Sequence, residues 1–182
     1  MSENDSPKAE RVPLARLRLL NPAHGSDARN CQPERARQLI SFPAFFKVEG
    51  RTILVIGGGD AAAAKVRLLT ETRAQIAVVS ETVSHPMETA LRTLGEQAKY
   101  FARPVTDVDI ANATLVFEAT GEAETDGVLA DRVRALNVPV NVVDRPDLCD
   151  FYTPALINRA PLGIAICSNG SAPVLSRKIR SQ

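Results

Sequence analysis

Residues 52–65 read TILVIGGGDAAAAK, an apolar run that breaks into three glycines and resumes as an alanine-rich stretch. Such a run suits a buried strand, and the stretch after it suits a helix. Between them Gly57-Gly58-Gly59-Asp60-Ala61-Ala62 satisfies the spacing G-x-G-x-x-A. Placed directly between strand and helix, that spacing is what the pyrophosphate of a dinucleotide demands. Gly57 permits the tight turn, Gly59 lets the backbone approach a phosphate because it has no Cβ, and Ala62 lets the helix pack near the strand. The free N–H groups and the dipole at the helix start favour negative charge there. The same glycines also suit a plain packing turn, and the motif alone does not separate the two.

Outward from the loop, further continuous apolar runs appear at QIAVV (75–79), TLVFE (114–118) and VPVNVV (138–143), with a weaker one at AKYF (98–101). Continuous rather than alternating runs are expected of parallel strands covered on both faces. Helical patterns fill the gaps over Asp60–Glu71, Pro86–Gly95, Thr106–Ala111 and Glu122–Leu136. In the last, Val128, Leu129, Val133 and Leu136 make one apolar stripe. The alternation predicts an α/β fold, a Rossmann-like parallel sheet with helices on both faces. Upstream, Phe42, Phe45 and Phe46 have the apolar area to dock on a core, and Glu49-Gly50 reads as a turn into the first strand.

Residues 1–40, rich in Arg, Ser, Asn and Pro, read as a mobile leader, and 41–148 as the nucleotide-binding domain. In 149–182, ALINRAPLGIAICS predicts a short β-hairpin turning at Asn158 to Pro161, followed by a helix that runs out of chain after about two turns. The expectation is a fragment that enters a further C-terminal region.

Composition narrows the classes. With 182 residues, 45% hydrophobic and 24% charged, the chain suits one globular domain with a small appendage. A net charge of +1 gives no field to recruit nucleic acid or a membrane surface. No apolar run approaches the ~20 residues of a membrane helix, and the N-terminus lacks a secretory pattern, so a cytoplasmic setting is expected. Cys31, Cys149 and Cys167 form no CxxC pair, and His24 and His85 stand apart, so neither a disulfide framework nor a structural zinc site is indicated.

Beyond the glycines, two places carry chemistry. The strand QIAVV ends in Ser80-Glu81-Thr82, so the carboxylate expected to hold ribose hydroxyls comes one position late. Ser80 can donate or accept one hydrogen bond to ribose, and Glu81 can swing in. The absence of an arginine from this loop prefers NAD to NADP. Asp144 follows VPVNVV at the carboxyl end, the edge where ligands sit in open α/β sheets. A carboxylate there acts as a base, holds a cation, or is simply a solvated turn residue. Ser168-Asn169-Gly170-Ser171 reads as an anion-binding nest or as a helix cap, and Arg145, Arg159, Arg177 and Lys178 as carboxylate partners or solvated charges.

The order FFKVEGRTILVIGGGDAAAAK, ATGEAE, VPVNVVDRPDLCDF and TPALINRAPLGIAICSNGSAPVLSRKIR resembles the N-terminal module of siroheme synthase, over roughly residues 42–180. That family is the bifunctional precorrin-2 dehydrogenase/sirohydrochlorin ferrochelatase. The resemblance implies NAD-dependent oxidation of precorrin-2 to sirohydrochlorin, then insertion of ferrous iron as a substrate, in a homodimer completed by a C-terminal helical dimerisation region. It assigns Asp144 the key role in both steps, transient contact with the metal included. It places cofactor contacts at Asp60, Ala61, Glu81 and Thr82, and Ser168 near the tetrapyrrole pocket, with Asn169, Gly170 and Arg159 as companion substrate contacts. The chain departs from the family where members commonly read A-A-T-D-D followed by an asparagine: here stand Glu118-Ala119-Thr120-Gly121-Glu122 and then Asp126. A non-catalytic NAD-binding module is the other reading, whereas a short-chain dehydrogenase is set aside because neither Tyr100 nor Tyr152 has a lysine four residues on.

Overall fold

The computed structural model describes residues 39–167. Strands β1 (Thr52–Ile56), β2 (Gln75–Val79), β3 (Ala98–Phe101), β4 (Leu115–Glu118) and β5 (Val140–Val142) form one sheet in the order β3-β2-β1-β4-β5. All four neighbouring pairs are parallel. The chain steps outward from β1 to β3 and then returns to lay β4 on the other side of β1. That reversal opens a crevice at the carboxyl ends of β1 and β4.

Among the described residues four α-helices cover the sheet: α1 (Asp60–Leu69), α2 (His85–Leu94), α3 (Asp107–Ala111) and α4 (Ala123–Ala135). Ile53 and Val55 join α1 and α2 in one core with Val66, Met87 and Phe117. Leu54 and Ile56, pointing the other way, join Ile110 of α3 and Val133 of α4 in the second. Successive residues of a strand feed opposite cores, which is why TILVI shows no polar alternation.

The start of α2 is capped by Ser84, which accepts from the Met87 amide at 3.4 Å, with Pro86 in the first turn. Helix α3 opens with a capping box between Thr106 and Asp109. Arg103 grips the same Asp109 with two hydrogen bonds of 2.6 and 2.7 Å, and holds its carboxyl well below the usual carboxylate range.

Two packing expectations are corrected. Phe42, Phe45 and Phe46 are 90%, 71% and 50% exposed rather than docked on the core. Helices already occupy both sheet faces, and from this segment only Val48 packs against a core. In α4, Val128 is exposed, and the buried face runs through Asp126, Ala130 and Val133. Val128 stands two residues beyond Asp126, about 200° around the helix and so on the opposite side.

Strands β6 (Ala155–Arg159) and β7 (Leu162–Ile166) make the expected antiparallel hairpin, closed by a turn with a cis Ala160–Pro161 bond. Asn158 ties the hairpin to the turn just after α1, donating to the Glu71 carboxylate at 2.8 Å. The expected helix after it, and Ser168, Asn169 and Gly170, lie outside the described residues.

The Arg103–Asp109 pair yields a signed prediction. Because the folded carboxyl titrates below the unfolded value of ~3.9, its contribution is present above that pH and is lost as the pH falls below it. Asp109→Asn is therefore expected to lower the melting temperature at neutral pH and to flatten its decline in acid, read by thermal denaturation across the acid range.

Candidate functional site

Each of the three loop glycines answers to a different constraint. Gly57 has φ +114°, and a Cβ there would lie 2.5 Å from the Ala119 carbonyl oxygen after β4. A Cβ on Gly58 would lie 1.9 Å from the Thr82 carbonyl oxygen after β2. Both residues are buried. Gly59 is exposed, and a Cβ built on it meets nothing within 4 Å. Packing thus demands the first two glycines and is indifferent to the third. The open space over Gly59 is the cradle a Cβ would fill, as close approach of a pyrophosphate requires. Gly59 also caps α1 without a side chain, so the first-turn amides of Asp60 and Ala61 receive no side-chain cap from it. The residues present fit a dinucleotide.

The fingerprint missed Gly58. Its signal was the unbroken triplet, since the motif needs only the first and third positions. Gly58 seats the turn after β2: the Ser84 amide donates to the Gly58 carbonyl at 2.8 Å, and the Gly57 amide to the Val79 carbonyl at 3.0 Å. Ser80 donates its hydroxyl proton to the Thr82 carbonyl at 2.8 Å, which leaves its oxygen only as an acceptor for ribose. Tyr100 of β3, named in the sequence only for lacking a lysine four residues on, donates to the Ser80 carbonyl at 3.0 Å. Glu81 and Thr82 are exposed beside the loop.

Asp144 stands exposed at the carboxyl end of β5, on the same rim as the glycine loop. One strand, β4, separates β5 from β1, which sets the two strand ends about 10 Å apart at the usual strand spacing. Its φ of +62° is the left-handed conformation that Asp and Asn tolerate best. The flanking backbone fixes it: the Val143 amide donates to the Glu118 carbonyl at 2.9 Å, and the Arg145 amide to the Val142 carbonyl at 3.3 Å.

Lys65, unremarked in the sequence, connects these parts. It extends from the glycine-loop helix, donates to Thr153 Oγ1 at 3.4 Å, and lies 5.7 Å over the Phe117 ring. Burial pushes its ammonium pKa down, and Cys149 and Asp144 oppose that shift. Arg159 is placed differently. It lines a groove of about 550 Å³ with Arg67 and Glu71, along the half of α1 farther from the glycine loop. Among the described residues no group of three or more His, Cys, Asp or Glu is gathered to hold a metal ion.

The fold and rim define a dinucleotide-binding α/β domain. Residues 44–155 match the family described as "Putative NAD(P)-binding", and the chain belongs to that family. Within it the chain is similar to siroheme synthases. It is 38% identical to that of Psychrobacter arcticus over 142 residues and 39% identical to that of Methylobacillus flagellatus over 143 residues, 78% of the chain in each case. The matched part is 26% and 30% of those relatives' lengths. In fold the chain is similar to "SirC, precorrin-2 dehydrogenase", with a TM-score of 0.66 at 24% identity over 78% of this chain and 68% of that one. The resemblance read from the motif order is borne out.

The contrast between the glycines is testable by thermal or denaturant unfolding. Gly58→Ala forces a methyl into a backbone carbonyl and is expected to cost about 3 kcal/mol or to prevent folding. Gly59→Ala is expected to cost less than about 1 kcal/mol.

Proposed function

We propose that this chain carries the NAD-dependent oxidation of precorrin-2 to sirohydrochlorin, with ferrous iron insertion at the same rim. The observation that carries the reading is the placement of Asp144 and the open Gly59 cradle on one rim of the sheet, one strand apart. In this reading 41–148 is the cofactor domain, 1–40 a leader, and 149–182 the start of a substrate and dimerisation region in a cytoplasmic homodimer.

Gly59, Asp60 and Ala61 hold the pyrophosphate through backbone amides, Gly57 makes the turn that presents them, and Ser80, Glu81 and Thr82 stand at the ribose. NAD over NADP is supported by charge. The turn after β2 has no arginine, and Arg103, just beyond β3, is committed to Asp109. When bound, NAD supplies the hydride acceptor.

Asp144 takes the proton that leaves the substrate as its hydride is removed. During metallation the same carboxylate accepts one of the two pyrrole protons displaced by ferrous iron, and the other passes to solvent at this exposed rim. Its exposure gives a bulky, many-carboxylate tetrapyrrole direct access, and Lys65 behind it holds positive charge near the site. Ser168, Asn169 and Gly170 would receive substrate carboxylates, and Arg159 would do so from the groove beside α1.

Asp144→Asn keeps the left-handed turn and removes the base. It is expected to lower precorrin-2 turnover by about 100-fold or more while NAD affinity stays within about twofold. NADH formation and NAD titration check the two parts. Wild-type turnover in Asp144→Asn would remove the assigned role, and NAD binding without turnover in the wild-type chain would leave a binding module. Gly59→Ala, stable by the preceding test, is expected to weaken NAD about 10-fold through lost phosphate approach.

A further inference from the structure

Behind the rim, two carboxyl groups face one another in the protein interior. Glu118, the last residue of β4, is 1% exposed, and Asp126, in the first turn of α4, is 3% exposed. Their neighbour Thr120 lies on the turn between them, with its Oγ1 2.5 Å from Glu118 Oε1 and 3.3 Å from Asp126 Oδ1. The Thr120 amide also donates to Glu118 Oε1 at 2.9 Å.

Counting protons decides the state of this chain. A threonine hydroxyl has one hydrogen and can donate to only one of its two carboxyl neighbours. If both carboxyls were ionised, the other oxygen pair would face each other without a hydrogen. One added proton completes the sequence of bonds.

Among the described residues the surroundings give little compensation for two charges. Ile56 of β1 and Val142 of β5 flank Glu118 in the sheet and bring no charge. Ile110 of α3 and Ala130 and Val133 of α4 line the same core. The cation facing the pair is Arg145, whose Nη1 stays 3.9 Å from Asp126 Oδ2 while its Nε and Nη2 bind Asp147 at 3.3 and 3.2 Å. Glu122, at the other end of the turn, is exposed. Two negative charges buried together with one loosely placed cation are strongly disfavoured, and one of the pair takes up a proton instead. Burial is the largest influence raising the Glu118 carboxyl, the Thr120 bonds oppose it, and Asp126 adds to it.

We propose that Glu118 holds a proton at neutral pH, shared through Thr120 with its neighbour Asp126, and that this set of bonds pins the Ala119–Glu122 turn, making the pair positioning residues for the nucleotide crevice. The Ala119 carbonyl of that turn is the surface against which Gly57 packs, so the β4–α4 turn and the glycine loop move as one. Loss of the proton as the pH rises puts two charges in the core, loosens the turn and opens the loop. The part concerning the crevice rests on the reading that it binds NAD; the shared proton does not.

The test uses the full chain with carbon-13-labelled carboxyl groups followed by NMR across the pH range. One carboxyl resonance is expected to remain neutral where the exposed carboxylates have ionised. It is expected to be absent from Glu118→Gln and to ionise at lower pH in Asp126→Asn, where the neighbouring charge is gone and the burial remains. Wild-type thermal stability is expected to fall relative to Glu118→Gln as the pH rises, because the folded state holds a proton that the unfolded state releases. The NAD dissociation constant of the wild type is expected to rise about 5-fold or more over the same range, and that of Glu118→Gln to stay flat. If both carboxyls titrate with the exposed ones while NAD still binds, the inference is overturned and the cofactor reading stands. A retained proton with a pH-independent dissociation constant overturns the coupling. A retained proton with no NAD binding at any pH overturns the cofactor reading, and the coupling with it.

Discussion

The site depends on backbone touching backbone at two glycines. Gly57 lies against the Ala119 carbonyl and Gly58 against the Thr82 carbonyl, at separations no side chain permits. These contacts lock the turn after β1 to the turns after β4 and β2. The loop is thereby fixed at the point where the strand order reverses, and Gly59 is held out toward open space. A dinucleotide-binding edge needs that rigidity, because amides aimed at a phosphate are useful only if they are already in place.

The sheet supplies the rest of the geometry at little further cost. Parallel pairing sends every carboxyl end to one rim, so Asp144 shares that rim with the glycine loop although 84 positions separate it from Asp60 in sequence. Lys65 projects from the loop's own helix toward Thr153 and Phe117, with Asp144 near enough to influence its titration. Cofactor helix, candidate base and the segment leading to the hairpin thus share one charged neighbourhood. The groove along the far half of α1, where Arg159 sits, is a separate feature of the same helix.

Much of the fold was legible because the central strands are largely continuous apolar runs bounded by glycine, proline or polar caps. Thr52–Ile56 and Gln75–Val79 were delimited by such punctuation and match the observed strands. The aromatic segment was misread because Phe42 and Phe45 have the area to enter a core, and area says nothing of whether a core has room. Val128 was misread because four apolar residues at plausible spacing outweighed Asp126, which is buried beside Ala130 and Val133. The same bias hid the Glu118–Asp126 pair: a carboxylate in sequence reads as surface, and only the packed sheet shows it inside. Lys65 and Tyr100 were missed for a related reason, since their partners Thr153 and Ser80 are brought to them by the fold.

The central claim is that a dinucleotide lies over Gly59 with Asp144 facing the same crevice. Amide shift mapping of the nitrogen-15-labelled chain during NAD titration tests it directly. The account predicts saturating shifts at Gly59, Asp60 and Ala61, reaching Glu81 and the Asp144 turn. Shifts confined to Arg67, Glu71 and Arg159 along the groove, with the glycine loop unmoved, would contradict it.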